Sequence, residues 1–354
     1  MLLCVKININ METYLGLDLN TWWFLVLGAV VTGYAVLDGF DLGVGAIHLF
    51  WHKETSRRIA LNAIGPVWDG NEVWLVIAGG VIFAGFPVVY ATVFSAFYVP
   101  FMLFLTGIIF RAVAIEFRSK EPMMWWRTTW DILFSVSSVL ITLLFGLVLG
   151  NLIQGMPIDK DLEYAGNWLD FLNPYAFLIA FTTLALFMMH GSMFLLLKTE
   201  DRVFARLTVM AKNLVIFFII MFAMTTVTTL IYIPQMAEKF RIHPTLFILP
   251  AIGILSVANI PRLITKRRYF IAFLFSGLTT ALLIALFAVG LFPNIVVSTL
   301  TPDNNITIYN AASTQLTLTN LMIVTLIGMP LVATYTIFVF WTFKGKVKQD
   351  KLVL

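Results

Sequence analysis

The chain has 354 residues, 60% of them hydrophobic and 12% charged, with 23 lysines and arginines against 19 acids. A water-soluble domain carries about 25% charged residues, so a share this low excludes a soluble globular fold and describes an all-α polytopic membrane protein. The pI of about 9.1 then concerns which face of a bilayer holds the cations, and no nucleic-acid partner is implied.

In chain order, residues 1–19 form an external N-terminal segment that contains Cys4 and an alternative start, Met11. The apolar part of "MLLCVKI" is too short for a cleaved signal peptide. With a single cysteine, neither a disulfide framework nor a CxxCH haem attachment is available. Runs of about 20 apolar residues predict nine transmembrane helices, near 20–50, 63–94, 96–117, 129–154, 171–197, 213–235, 246–262, 270–292 and 320–343. The first two exceed a straight crossing and must tilt or project. The seventh is short, with Pro244 before it and Pro261 near its end. A single transmembrane domain over 20–343 and a basic tail over 344–354 follow.

The loops alternate in charge. Eighteen lysines and arginines fall on one side of the predicted membrane and four, Lys6, Lys160, Lys239 and Arg241, on the other. Arg111 lies inside a span. Positive charge marks the cytoplasmic face, which places the N-terminus outside and the C-terminus in the cytoplasm, and requires an odd number of spans. The long external segment 293–319 carries one charge, Asp303, and the sequon Asn305-Ile306-Thr307, read here as unmodified.

Six ionisable residues fall inside the first three spans: Asp38, Asp41, Asp69, Glu72, Arg111 and Glu116. Each costs about 2.5–3.5 kcal/mol at the centre of a membrane helix, so each needs a reason. The alternating direction of the spans puts all six in the cytoplasmic half, with Asp131 in the same layer. Asp38 and Asp41 share a helix face at i, i+3, as do Asp69 and Glu72. Arg111 and Glu116, five apart, do not face each other, and Arg111 is expected to pair with an aspartate on a neighbouring helix. Three readings remain open: an ion-pair cluster that fixes packing, a water-connected proton route, which is favoured, and cation or quinone-headgroup contacts. Trp68 reads as an interfacial anchor; Trp74, about two turns deeper, fits that reading less well.

Four histidines are few. His48 and His52 share a face at i, i+4 but sit at the cytoplasmic end of the first span, as interfacial histidines do. His190 reads as a satisfied core histidine. No phosphate loop, dinucleotide fingerprint, HExxH or cysteine cluster is present, so the chain by itself lacks the means for redox chemistry and holds no metal. That points to a partner.

The motifs "VLDGFDLGVG" (36–45), "RRIALNAIGPVWDGNEVWLVIAGGVIFAGFPVVYA" (57–91), "FSAFYVPFMLFL" (94–105), "FRAVAIEFRSK" (110–120), "GNLIQGMP" (150–157) and "LDFLNPY" (169–175) closely resemble subunit II of the cytochrome bd-type ubiquinol or menaquinol oxidases. The likeness is long and ordered in the first half, and weaker afterwards. It implies two four-helix bundles, about 20–154 and from about 171, plus a peripheral ninth helix ending near 343. It implies no catalytic residue in this chain, and a partner, subunit I, that carries two haems b and one haem d. A small single-helix third subunit is a further partner to expect, with quinol and oxygen as substrates of the complex. The setting would be a prokaryotic cytoplasmic membrane. By the same resemblance Asp69 and the DGFD aspartates Asp38 and Asp41 would serve proton access, Trp74 an oxygen channel, and Trp68 contact with a structural quinone. Glu72, Arg111 and Glu116 join the expected proton route by their place in the same layer, although Glu72 stands where the family can carry Gln and Glu116 where it can carry Asp. A stand-alone ion-coupled transporter and a purely structural scaffold are the rival functions; a transporter would show a polar site reaching the outer half, where these spans are apolar.

Overall fold

The computed structural model describes residues 13–14 and 16–347; Cys4, Lys6, Met11, Lys348 and Lys351 lie outside the described residues. Twelve α-helices follow in order: α1 (Leu19–Ala46), α2 (Glu54–Ile64), α3 (Trp68–Gly85), α4 (Pro87–Ala96), α5 (Tyr98–Phe117), α6 (Met124–Gln154), α7 (Pro174–Lys198), α8 (Asp201–Tyr232), α9 (Gln235–Ile242), α10 (Ile248–Thr265), α11 (Tyr269–Leu291) and α12 (Gln315–Thr342). Among the described residues there are also four short 3-10 helices and two small two-stranded sheets, β1 (Thr13–Tyr14) with β2 (Leu17–Asp18), and β3 (Asn294–Val296) with β4 (Ile306–Thr307). Among the described residues eight helices are long and apolar enough to cross a membrane, and the bent pair α2–α3 makes a ninth.

The expected uninterrupted helix over 63–94 is corrected by two prolines. Pro66 lacks an N–H and disfavours helical geometry at the residue before it, so α2 stops at Ile64 and α3 restarts at Trp68 with a 52° bend. Pro87 starts α4 at its first turn, where the missing N–H costs nothing. At the break after α3, the loop before α12 takes up carbonyls: Ser313 N–H donates to Gly85 O at 2.9 Å and its hydroxyl to Ala84 O at 2.6 Å. Helix α8 starts at Asp201, twelve residues before the apolar run at 213, because the charged turns of 201–212 stay helical beyond the apolar stretch.

In the first half, α1 packs on α3 and α6, and α5 packs on α6; in the second, α7 packs on α8 and α11, and α10 on α11 and α8. The α6–α7 and α1–α7 contacts join the two groups, while α12 lies against α3 and α1. These contacts form two four-helix bundles with one peripheral helix. The α1–α7 seam is close because it is built from glycine: a Cβ on Gly43 would collide with the Phe187 carbonyl, and one on Gly191 would meet Phe40 O at 2.6 Å. Small residues permit this approach where lipid supplies no hydrophobic drive.

Candidate functional site

The buried charge starts from α1. Tyr34, Asp38 and Asp41 recur at helical spacing on one face, and all three are buried. Arg111, from the middle of α5, meets Asp38 in a fork, with Nη2 to Oδ1 at 2.5 Å and Nη1 to Oδ2 at 3.1 Å. Such a bidentate pair is the strong form of the carboxylate–guanidinium contact. The same Nη1 lies 3.9 Å from Glu72 Oε1 on α3. One turn along α1, Asp41 accepts a hydrogen bond from Asn71 Nδ2 at 2.7 Å. The bend at Pro66 lies just before this stretch, and Asn71 is 1% exposed. Three helices thus bring Asp38, Asp41, Glu72 and Arg111 together, and Arg111 pairs with an aspartate on a neighbouring helix as expected. Tyr34 Oη, Asp41 Oδ1, Glu72 Oε1 and Arg111 Nε are buried without a hydrogen-bond partner.

Asp69 and Glu116 do not join this cluster; both are exposed on the chain. Asp69 sits in the first turn of α3, whose N-terminus has no side-chain cap, and a carboxylate there faces the positive end of the helix dipole. Glu116 points away from Arg111, as its five-residue offset requires.

Asp131 also leaves the expected layer. It anchors a second set nearer the helix ends: His48 Nε2 donates to its Oδ1 at 2.6 Å, Arg118 Nε to Oδ1 at 2.6 Å, and Arg57 Nη1 to Oδ2 at 3.2 Å. Arg118 also reaches Glu54 at 2.8 Å, and Arg127 closes on Glu54 at 3.4 Å. Ten residues of α1 and the turn after it separate Asp38 from His48, about 15 Å at helical rise. The acids therefore occupy two levels. Sequence reading placed His48 at the interface and Arg118 in a loop; in the structure both are buried. Their signal was spacing: Asp41 to His48 and Arg111 to Arg118 are both seven apart, two turns on one face. His52 is exposed and shares no site with His48, because the chain leaves the helix at Trp51.

His190 is buried on α7, its Nε2 donating to Val36 O at 2.9 Å and its Nδ1 paired with Ser276 Oγ at 2.7 Å. Its ring stacks on Phe273 with centroids 4.9 Å apart. With both nitrogens committed it does not fit a haem ligand. His48 spends one nitrogen on Asp131 and packs edge-on to Phe134. Trp74 is half-buried against Gly33 of α1, its indole N–H unpartnered among protein groups. Trp68 is half-buried at the restart of α3.

Taken together, the helix arrangement and buried ion pairs define an integral membrane protein in which those pairs, among the described residues, are confined to one bundle. Comparison with known proteins specifies the kind. The chain belongs to the family of cytochrome bd terminal oxidase subunit II, whose profile matches residues 19–343. It is 32% identical to cytochrome bd-I ubiquinol oxidase subunit 2 of Escherichia coli K12, over 94% of this chain and 95% of that one. It is likewise 32% identical to cytochrome bd ubiquinol oxidase subunit 2 of Bacillus subtilis, over 94% and 98%. A solved structure, the bd oxidase from Geobacillus thermodenitrificans, shares the fold with a TM-score of 0.77 at 16% identity, covering 92% of this chain and 98% of that one. The chain is a subunit of a quinol oxidase complex, and its family name, subunit II, implies a subunit I.

Proposed function

We propose that this chain is the haem-free member of an electrogenic quinol:oxygen oxidoreductase, and that its buried carboxylates give protons a way in from the cytoplasm. The observation that carries the reading is the group of buried oxygens that accept no hydrogen bond, Tyr34 Oη, Asp41 Oδ1 and Glu72 Oε1, beside the Asp38–Arg111 pair. Buried polar atoms of this kind take ordered water, and carboxylates linked by water relay protons through membrane proteins. Asp69, exposed just before Glu72, supplies the mouth of the route. Glu116, exposed and unaligned with the cluster, lies outside it.

Haems b and d, held by the partner subunit, supply the reduction of oxygen to water, and this chain orients and feeds that partner. Oxygen access belongs to the same reading. A cavity of about 250 Å³ between the two bundles is lined by apolar side chains that include Val31, Leu75 and Phe104, and Leu75 follows Trp74 in α3. A structural quinone against Trp68 and a small third subunit complete the assembly proposed. It sits in a prokaryotic cytoplasmic membrane, N-terminus outside, C-terminus inside. The second level, centred on Asp131, fits a packing role: each of its oxygens is taken by a cation.

The test is oxygen consumption by the purified complex. Glu72→Gln and Asp69→Asn slow it roughly tenfold, the effect of about 1.4 kcal/mol on a barrier, with haem content intact. Unchanged turnover in both variants leaves only the scaffold reading, and stoichiometric haem in the isolated chain defeats the division of labour.

A further inference from the structure

The second bundle contains a larger void that the proposed proton and oxygen roles do not use. It measures about 810 Å³ and lies among α6, α7, α8, α10 and α11, with α9 at one end. It runs along α7 from Tyr175 to Phe187, about 18 Å at helical rise, and so occupies the half of the bundle nearer the sparsely charged face.

Away from Arg241 of α9 its walls are apolar apart from hydroxyls, and every one of those hydroxyl protons is already placed. Tyr175 pairs with Thr229 at 2.8 Å and Thr182 with Thr225 at 2.6 Å, while Thr182 and Thr229 donate to carbonyls four residues back. Thr183, Thr226 and Thr280 do the same. A quinone ring placed among these hydroxyls would find no free donor for its carbonyl oxygens there. Hydrocarbon fits these walls.

One charged group lines the cavity, Arg241 of α9. It is exposed, and no ion pair joins it to Glu238 three residues earlier, although that spacing brings two side chains together on a helix. Its neighbour Lys239 is spent differently: Nζ donates to Val289 O in the last turn of α11 at 3.2 Å and lies 5.6 Å from the Phe292 ring centre. That contact pins α9 over the bundle, and burial pushes the Lys239 ammonium down from its ordinary pKa. Positive charge is scarce on this face, where the described basic residues are Lys160, Lys239 and Arg241. Two of the three sit on one eight-residue helix at the mouth of the void.

We propose that this cavity holds the acyl chains of an anionic phospholipid from the outer leaflet, with its phosphate at the Arg241 guanidinium. Guanidinium matches phosphate geometry with two parallel N–H donors, and a basic residue at the membrane surface contributes about 1 kcal/mol towards an anionic lipid. Lys239 holds the helix in place and Arg241 selects the headgroup.

The complex carrying the full chain is delipidated in mild detergent and titrated with dioleoylphosphatidylglycerol or dioleoylphosphatidylcholine, bound lipid being counted by native mass spectrometry. One phosphatidylglycerol is retained, five- to tenfold more tightly than phosphatidylcholine, by the roughly 1 kcal/mol or more that one basic residue contributes. Arg241→Gln removes the preference without unfolding the chain, because the side chain is exposed. Ile179→Trp, placed at a buried lining position, narrows the cavity and lowers retention of both lipids. Equal retention of the two lipids, a preference that survives in Arg241→Gln, or a neutral quinone recovered in their place overturns the proposal.

Discussion

Arg111 illustrates how a single residue is held at membrane depth. Its guanidinium is 1% exposed and lies between carboxylates from two other helices. Breaking such a pair from one side leaves a charge buried alone, which costs about 3–5 kcal/mol, whereas removing both members together costs far less. Arg111→Met is therefore expected to lower the thermal stability of the complex by that amount, and Arg111→Met with Asp38→Leu to recover most of the loss. Differential scanning fluorimetry of the two variants checks it, and equal melting in the single and double variants would contradict the pairing. The acids themselves were legible in the sequence because charge in an apolar run is costly wherever it falls. Asn71 was not: an amide carries no charge penalty, and only its 2.7 Å contact to Asp41 identifies it as part of the cluster.

At the scale of elements, prolines and glycines decide more than hydropathy does. Pro66 and Pro87 divide a stretch that apolarity alone reads as one helix, and the α2–α3 break immediately precedes Asp69, Asn71 and Glu72. Glycine acts at the opposite extreme, where α1 and α7 touch backbone to backbone. Gly43→Val is expected to force those helices apart and to cost at least the roughly 1–3 kcal/mol of ordinary overpacking. Gly79→Ala, where the added Cβ meets nothing within 4 Å, is expected to leave stability unchanged. The yield of assembled complex in detergent distinguishes the two; equal losses would remove the seam from the account. The sequon asparagine also acquires a local meaning, since Asn305 Oδ1 accepts from Ser298 N–H at 2.7 Å and fastens the turn between β3 and β4.

For the whole molecule, the asymmetry of charge carries a prediction about sidedness. The tail at Lys346 and the turn at Asn310 lie at opposite ends of α12. In a Cys4→Ser background, Asn310→Cys is expected to react with a membrane-impermeant maleimide in intact cells, and Lys346→Cys only after permeabilisation. Labelling of both from outside would reverse the orientation proposed. The same scale separates the two kinds of interior. The first bundle carries the buried acids, whereas the second carries a hydroxyl-lined apolar void with one arginine at its mouth. The buried ion pairs and the larger cavity thus lie in different halves of one chain.

By itself the sequence determined the class of fold, the number of crossings and the residues with something to explain, because long apolar runs, loop cations and intramembrane charges are each visible one residue at a time. Only the tertiary structure decided which of those residues meet. It joined Asp38 to Arg111 across 73 positions, moved Asp131 to a separate level with His48 and Arg118, and left Asp69 and Glu116 at the surface. It also set α7 at the centre and α12 at the rim. The two helices are equally apolar, yet most of α7 is buried and only Leu318 of α12 is. In lipid a buried face and a lipid-facing one have the same composition, so nothing in the pattern of a single helix tells the two apart.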